Sequence, residues 1–222
     1  AKKGGALTVG IVTIPFEMEG ARRYENAMIG LEMMEKNVDT LIVIPNDKLL
    51  ELAPDLPLQT AFKVADEILT NAVKGIAELV TKTGLVNLDF ADIRAVMGKG
   101  GVSMIGIGEA DSENRALEAV EKAINNPLLD VDIGGASGAL VNVIGGNDMT
   151  LDEAKHVVET ISGKLDEEAK IIWGAQISED LGTSLKVLLI VTGVKSPQIM
   201  GHEPRTDKHK KEIEQELGIE FV

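Results

Sequence analysis

Two carboxylates three residues apart, Asp89 and Asp92, could carry acid–base or metal chemistry. They lie at the start of a predicted short helix over residues 90–97, where a spacing of three directs both side chains the same way. Such a pair can polarise a water molecule or help to hold a cation. The alternative is structural, because aspartate is favoured at the cap and first turn of a helix. The residue types leave both interpretations open.

Three further side chains, Glu19, Arg23 and Asn46, could bind a sugar and a base. Glu19 could accept hydrogen bonds from ribose hydroxyls, and Arg23, one helical turn later, could contact ribose or phosphate. Asn46 offers both a donor and an acceptor. The structural alternatives are a helical salt bridge between Glu19 and Arg23 and a turn at Asn46.

An aromatic ring and a carboxylate, Phe62 and Asp66, are four residues apart in a predicted long helix and so share one face of it. The ring could stack on a base, and the carboxylate could accept hydrogen bonds from N1–H and N2–H of guanine. The alternative for Phe62 is a place in the hydrophobic core.

The common phosphate-binding and metal-binding motifs do not occur in the sequence. Residues 98–99 (GK) lack the earlier glycine and the following Ser or Thr of a P-loop, and residues 106–108 (GIG) lack the third glycine of the dinucleotide fingerprint. The chain has no cysteine, and its three histidines, His156, His202 and His209, lack metal-ligand spacing. We therefore expect no metal site built by this chain alone.

The acidic balance of the chain argues against two classes of partner. Its 222 residues carry 36 acidic and 22 basic side chains, a formal net charge of -14. Such a surface repels phosphate backbones and anionic lipid headgroups, so we expect no nucleic-acid partner. The longest apolar run, residues 185–194, contains Lys186 and has about half the length of a bilayer-spanning helix, so we expect no direct membrane insertion.

Predicted strands precede the candidate sugar-binding and base-binding residues. Residues 7–13 and 41–44 are typical of short strands, and apolar residues at helical spacing predict a helix over 20–36 between them. Such a βαβ unit has parallel strands, whose carboxyl ends meet at one rim where ligands bind. Glu19 and Asn46 follow those ends, so we expect them to lie close together.

A long amphipathic helix over residues 58–82 is predicted to join this unit to a second, α+β part of the chain. The second part alternates strands at 102–108, 138–144, 170–177 and 185–194 with helices at 113–125 and 151–165. Thr150 and Glu153 have the spacing of a capping box. A polar loop with Gly182 joins the last two strands, which we expect to form a hairpin.

Five sequence segments occur together in one order: IPFEMEGARR (14–23), VDTLIVIPNDKLL (38–50), AFKVADEIL (61–69), GLVNLDFADIRAVM (84–97) and INNPLLD (124–130). On these segments the chain resembles FtsZ, the family of cell-division GTPases related to tubulin. VDTLIVIPNDKLL and NLDFAD are highly specific for that family. The resemblance runs from residue 7 to about residue 193, and the short tail looks more like the archaeal than the bacterial branch.

The resemblance implies an α/β plus α+β fold with an incomplete Rossmann-like GTPase half, a long central helix, and a four-stranded mixed sheet with two helices. The implied divisions are a partial nucleotide-binding domain, the central helix with the catalytic loop, a carboxyl-terminal domain and a flexible tail, at residues 1–57, 58–97, 98–194 and 195–222. The segment AKKGG at the start is typical of a helix end, so we expect the chain to begin inside a larger fold.

The resemblance also implies roles at a site for GTP or GDP. Glu19 and Arg23 match the family's ribose and phosphate contacts, and Asn46, Phe62 and Asp66 match its guanine site. Mg²⁺ would accompany the nucleotide on its β- and γ-phosphates, with K⁺ as a second candidate cation.

Hydrolysis in the family takes place between subunits. Asp89 and Asp92 match the loop that enters the next subunit's nucleotide site, where they would position the attacking water and a cation, and Asn87 would support the loop. The implied enzyme is a GTPase active in a head-to-tail homopolymer. The alternative is a non-enzymatic module that caps or modulates FtsZ filaments.

The family's place in the cell implies a cytoplasmic protein at the mid-cell division ring. Similar tails imply docking to a membrane-tethering division protein, here through Ile219, Phe221 and Val222, with a disordered end as the alternative. The family's GGGTG-like phosphate loop does not occur in these 222 residues. We therefore expect this chain alone to bind GTP weakly or not at all.

Overall fold

The structure is a computed structural model that describes residues 1–52, 57–81, 84–86, 89–98, 100–129 and 133–194. Four residues with implied roles lie outside these ranges: Asn87 of the catalytic segment, and Ile219, Phe221 and Val222 of the tail. Their roles stay predictions. The described residues form one mixed β-sheet with helices on both of its faces.

The amino-terminal part is the predicted βαβ unit. It consists of strand β1 (Val9–Ile14), helix α1 (Ala21–Glu35) and strand β2 (Thr40–Pro45), and the two strands are parallel over all six residues. Every residue of β2 is buried, as its continuous apolar run predicts for a strand covered on both faces. A short helix, α2 (Asp47–Leu52), follows at once and was not predicted from the sequence.

The long predicted helix is confirmed as α3 (Leu58–Thr81), and its apolar stripe faces the sheet. Helix α4 (Phe90–Met97) has the bounds predicted for the helix that bears the aspartates. Strand β3 (Gly101–Ala110) follows it. The helix end predicted at the start of the chain is a short 3-10 turn, Lys2–Gly4, closed by Gly5 at φ 80°, a left-handed conformation that favours glycine.

The carboxyl-terminal part contains the remaining five elements: α5 (Arg115–Ile124), β4 (Gly138–Gly145), α6 (Leu151–Ser162), β5 (Lys170–Ile177) and β6 (Leu185–Thr192). The capping box predicted at the start of α6 is confirmed. The amide of Glu153 donates to Oγ1 of Thr150 at 3.2 Å, and the amide of Thr150 donates to Oε2 of Glu153 at 2.7 Å.

The strand order of the sheet is β1-β2-β3-β6-β4-β5. The predicted four-stranded mixed sheet is present as β3, β6, β4 and β5, with α5 and α6 packed on it. It continues into the amino-terminal pair, because Thr40–Ile42 runs parallel to residues 101–103 of β3. The boundaries proposed for separate domains stay a prediction.

The predicted hairpin of the last two strands is wrong. Strand β6 lies between β3 and β4 and is antiparallel to both, whereas β5 pairs with β4. Seven of the eight residues of β6 are buried, and so apolar a strand is stabilised most in the centre of the sheet. The polar loop with Gly182 therefore connects two strands that are not neighbours.

Candidate functional site

The loop after β1 connects the candidate sugar-binding and base-binding segments. The amide of Glu17 donates to both carboxylate oxygens of Asp47, at 3.1 and 3.2 Å. The amide of Asn46 donates to the carbonyl oxygen of Ile14 at 3.2 Å. These bonds hold the ends of the two parallel strands together, so the rim predicted from the βαβ pattern is present.

Phe62 lies at this rim, on the first turns of α3. Its ring meets the ring of Phe16 edge-to-face, with centroids 5.1 Å apart and planes at 87°. Phe16 is 1% exposed and Phe62 is 39% exposed, so the buried ring fixes the orientation of the exposed one. The exposed ring surface could take a base. Asp66, one turn further along α3, is also exposed.

The sequence reasoning did not identify Phe16 as part of the site. It lies three residues after the predicted strand, within IPF, and an aromatic residue so close to a candidate ligand rim was the available signal. Its role is to support Phe62 from below rather than to contact a ligand.

Asn46 is 6% exposed, and its Oδ1 has no hydrogen-bond partner within the described part of the chain. A buried polar oxygen without a partner is unfavourable by about 1–3 kcal/mol, so such atoms are rare in folded proteins. The oxygen is itself buried, so an N–H group of a ligand would reach it only after the Asn46 side chain turned towards the rim. The residue types around it fit a guanine: an acceptor at Asn46, a ring at Phe62 and a carboxylate at Asp66.

Glu19 and Arg23 form the helical salt bridge that was the structural alternative. Nε of Arg23 lies 3.0 Å from Oε2 of Glu19, and the amide of Phe16 donates to Oε1 of Glu19 at 2.9 Å. The side chain of Arg23 is 72% exposed, so its guanidinium faces solvent at the start of α1. The salt bridge and a ribose contact are compatible, because each carboxylate oxygen can accept more than one hydrogen bond.

The two aspartates are exposed at the start of α4. Asp89 is the N-cap, and its Oδ1 accepts from the amide of Ala91 at 3.2 Å. Asp92 lies in the first turn. The capping role predicted as the structural alternative is therefore present, and it leaves both carboxylates at the surface. The third candidate, Asn87, lies outside the described residues.

Helix α4 packs on β4 and β5, and its last turn meets the end of the sheet where β1 and β2 begin. The hydroxyl of Thr40, the first residue of β2, donates to the carbonyl of Met97, and Arg94 donates to the carbonyl of Gly5 ahead of β1. Asn46, by contrast, follows the last residue of β2. The helix that bears the aspartate pair thus meets the amino ends of β1 and β2 through its last turn, whereas the base-binding rim follows the carboxyl ends of the same strands.

The described part of the chain contains no cluster of three or more His, Asp or Glu residues that could hold a metal ion. In the same part, no helix is long and apolar enough to cross a membrane. Any cation at the aspartate pair would need further ligands from elsewhere, such as phosphate oxygens.

Comparisons with known proteins show the family to which the chain is related. Residues 1–54 match the GTPase domain of the tubulin/FtsZ family, and residues 101–195 match the carboxyl-terminal domain of the FtsZ family. Cell division protein FtsZ 1 of Thermococcus kodakarensis is 63% identical over 203 residues, which are 91% of this chain and 54% of that protein. The FtsZ 1 protein of Archaeoglobus fulgidus is 57% identical over 100% of this chain and 59% of its own length.

Solved structures show the same relationship. An empty FtsZ dimer from Methanocaldococcus jannaschii has a TM-score of 0.85 and 61% identity, and the match covers 86% of this chain and 56% of that one. CetZ1 from Haloferax volcanii, a GDP-bound monomer, shares the fold with a TM-score of 0.71 at 20% identity. The chain spans little more than half the length of the curated relatives it matches. With family models matching residues 1–54 and 101–195 and archaeal FtsZ 1 relatives along its length, the chain belongs to the tubulin/FtsZ family of cell division proteins.

Proposed function

We propose that this chain acts in GTP-driven filament assembly for cell division, with GTP hydrolysed between neighbouring subunits. The observation that carries the proposal is that the residues fit to bind a nucleotide and the residues fit to position water lie on different parts of the chain. A rim that fits a base follows the carboxyl ends of β1 and β2, and an exposed aspartate pair opens the helix whose last turn meets the amino end of β2. Stacked head to tail, subunits with this layout bring one rim to the next aspartate pair. A relative solved as an FtsZ dimer supports such stacking.

At the rim, the chain would bind the guanosine part of GTP or GDP. Once its side chain turned towards the rim, Oδ1 of Asn46 would accept from the base, and the carboxylate of Asp66 would accept from N1–H and N2–H of guanine. Phe62, supported by Phe16, would stack on the ring. Glu19 would accept from ribose hydroxyls, and the exposed guanidinium of Arg23 would contact ribose or phosphate.

At the other end, Asp89 and Asp92 would position the attacking water at a neighbour's triphosphate. Phosphoryl transfer is mostly positioning and charge stabilisation, and the Mg²⁺ bound with the nucleotide, with K⁺ as a second candidate, supplies the positive charge. Two exposed carboxylates can orient a water and attract such a cation without closing a site of their own. Asn87 would support the segment that carries them.

The 222-residue chain by itself should bind GTP weakly or not at all. Phosphate contacts from backbone amides and a helix N-terminus supply much of a nucleotide's binding energy, and no GGGTG-like loop occurs in this sequence. Isothermal titration of GTP into the purified chain should give no saturable heat. Micromolar binding would contradict this part of the proposal, and the variant Asn46→Ala would then show whether the rim is the site.

Hydrolysis can be tested without a phosphate-binding loop on this chain. The partner is FtsZ 1 of Thermococcus kodakarensis in which the aspartates that match Asp89 and Asp92 are replaced by alanine. That partner keeps its nucleotide site but lacks the hydrolytic carboxylates. Adding the chain should restore GTP hydrolysis, and adding the double variant Asp89→Ala/Asp92→Ala should not. Restoration by the double variant, or none by the original chain, would overturn the proposed mechanism.

A second candidate function is a non-enzymatic module that caps or modulates FtsZ filaments. It is favoured by the exposed aspartate end of the chain, which could dock on a filament even if its own rim holds no nucleotide. Electron microscopy of intact relative filaments decides between the two. A capping module shortens them at substoichiometric amounts, whereas a filament subunit does not.

Two further roles of the whole protein remain proposals. A position at the division ring follows from the cell-division role of the relatives. Docking of a membrane-tethering partner through Ile219, Phe221 and Val222 rests on the resemblance of the tail alone. A pull-down with the peptide of residues 210–222 and its Phe221→Ala variant would test the second role.

A further inference from the structure

The helix that carries the aspartate pair packs into the core through its buried apolar side chains, and three polar connections among the described residues orient it further. Ahead of it, Val86 forms an antiparallel bridge with Ala175 of β5. At its end, the buried hydroxyl of Thr40 donates to the carbonyl of Met97. On its exposed side, Arg94 donates from Nη2 to the carbonyl oxygen of Gly5. The Val86 bridge is a backbone contact and the Thr40 hydrogen bond is buried. The Arg94 hydrogen bond is made by a surface side chain.

Arg94 makes two contacts at once. Its guanidinium carbon lies 5.8 Å from the centroid of the Phe90 ring, within cation–π range, while Nη2 reaches Gly5. Phe90 directly follows Asp89 and is 47% exposed. The Arg94 side chain thus connects the residue beside the N-cap to the backbone that leads into β1. A planar guanidinium can stack and donate together, which a lysine ammonium cannot do in the same geometry.

We propose that Arg94 is a positioning residue for the aspartate pair, fixing α4 against the start of β1 so that Asp89 and Asp92 keep one orientation towards a neighbouring subunit. The inference rests on the proposed function for its consequence in hydrolysis. The claim that Arg94 orders the start of α4 does not depend on that function. Arg94 touches no reacting atom in this account and acts only through the helix.

The contact between Arg94 and Gly5 matters because the position of the helix sets the position of the two carboxylates. Both carboxylates are exposed and held only through the helix they open, so their placement depends on how firmly α4 is seated. A displacement of about 1 Å at a catalytic group can lower a rate by about a hundredfold. Loss of one of three connections should shift the start of the helix by less than that.

The test uses the restoration assay described above, with this chain as the variable component. Arg94→Ala should lower the maximal rate of GTP hydrolysis about tenfold, while the chain concentration that gives half the maximal rate changes less than about twofold. Arg94→Lys should recover part of the rate. Lys164→Ala, which removes a positive charge from an exposed residue beyond α6, should match the original chain.

A readout independent of hydrolysis is the amide exchange of Ala91, whose N–H donates to the Asp89 cap. In Arg94→Ala it should exchange about tenfold faster, with the global unfolding midpoint nearly unchanged. Unchanged exchange, an unchanged maximal rate, or a change confined to the half-saturating concentration each overturns the inference. If Asp89→Ala/Asp92→Ala is as active as the original chain, the proposed function fails instead, whatever Arg94 does to the exchange.

Discussion

The carboxylate of Asp89 accepts a hydrogen bond from the amide of Ala91 and so caps α4. The same carboxylate is the first of the proposed hydrolytic pair. The two roles make different chemical demands. A cap needs only a short side chain with an acceptor oxygen, whereas positioning water and a cation needs the negative charge.

Two substitutions at Asp89 separate these roles. Asp89→Asn keeps the cap and removes the charge, and Asp89→Ala removes both. We expect Asp89→Ala to lower the free energy of unfolding by about 1 kcal/mol and Asp89→Asn to leave it nearly unchanged. Both variants should lose most of the restored GTP hydrolysis. Urea unfolding and the restoration assay measure the two effects, and an active Asp89→Asn would show that only the cap matters.

Arg115 is 7% exposed and is the buried charge of the carboxyl-terminal part. Its Nε donates to Oε1 of Glu153 at 2.6 Å, and its Nη1 donates to Oδ2 of Asp148 at 2.8 Å. The Arg115 hydrogen bond lowers the pKa of Glu153 to about 2, and the Glu153 hydrogen bond raises the pKa of Arg115. This cluster joins α5 to the start of α6.

The lowered pKa of Glu153 predicts a pH-dependent stability. Folding favours its charged form, so its contribution is complete above the ordinary pKa of 4.5 and is lost as pH falls towards about 2. Glu153→Gln should therefore be less stable than the original chain by about 1–2 kcal/mol at pH 7, and the difference should shrink below pH 4.5. Urea unfolding at several pH values measures this.

Glu159→Gln is the matched control for that experiment. Glu159 forms a surface pair with Lys155 at 3.5 Å, and both side chains are more than half exposed. Loss of this ion pair should change the free energy of unfolding by less than about 0.5 kcal/mol at any pH. A difference between Glu153→Gln and the original chain that persists undiminished at low pH would contradict the charge-based explanation.

At the scale of elements, α5 lies directly on β3 because two glycines of the strand leave room for it. A Cβ added at Gly108 would lie 2.0 Å from the carbonyl oxygen of Ala119, and one at Gly106 would lie 2.1 Å from that of Ala123. These oxygens belong to the backbone of α5, which cannot move aside as the end of a flexible side chain can. The GIG sequence is therefore a packing feature, as the missing third glycine of the dinucleotide fingerprint indicated.

We expect Gly108→Ala to lower the free energy of unfolding by about 1–3 kcal/mol, because α5 must move away from the sheet. Gly30→Ala is the matched control. Gly30 is exposed inside α1, an added Cβ there meets nothing within 4 Å, and alanine should stabilise the helix by about 1 kcal/mol. Urea unfolding measures both effects as shifts of the midpoint at an unchanged dependence on denaturant concentration. Equal effects of the two substitutions would refute the packing argument.

At the scale of the molecule, β1 ends the sheet, and none of the described strands lies on its outer side, whereas β2 is paired on both sides. An unpaired edge is a place where another strand can join. The curated relatives are longer than this chain, which spans 54% and 59% of the two compared above. We propose that this edge can accept a further strand, from another segment or another copy.

The free edge predicts uneven protection from hydrogen exchange. In the monomeric chain, amides of β1 should exchange faster than those of β6, which is buried between two strands. Mass spectrometry of peptides from the two strands measures the difference. Equal protection in a monomer would show that β1 needs no further partner, and protection that rises with concentration would show that the edge pairs with another copy.

The sequence alone determined what depends on neighbours along the chain. The bounds of α4 and β5, the capping box of Thr150 and Glu153, and the parallel βαβ unit follow from periodicity, capping residues and turn chemistry, which act over a few residues. The residue types at the rim also limited the chemistry, since an amide, a ring and carboxylates can recognise a guanosine. The family resemblance then supplied their arrangement.

Only the tertiary structure decided which elements meet. It placed β6 between β3 and β4 instead of beside β5, buried Phe16 under Phe62, and left Oδ1 of Asn46 without a partner among the described residues. It also joined the last turn of the helix that bears the aspartate pair to the amino end of β2, away from the rim. Pairing between strands far apart in the chain depends on how much apolar surface each arrangement buries, and local sequence patterns do not contain that information.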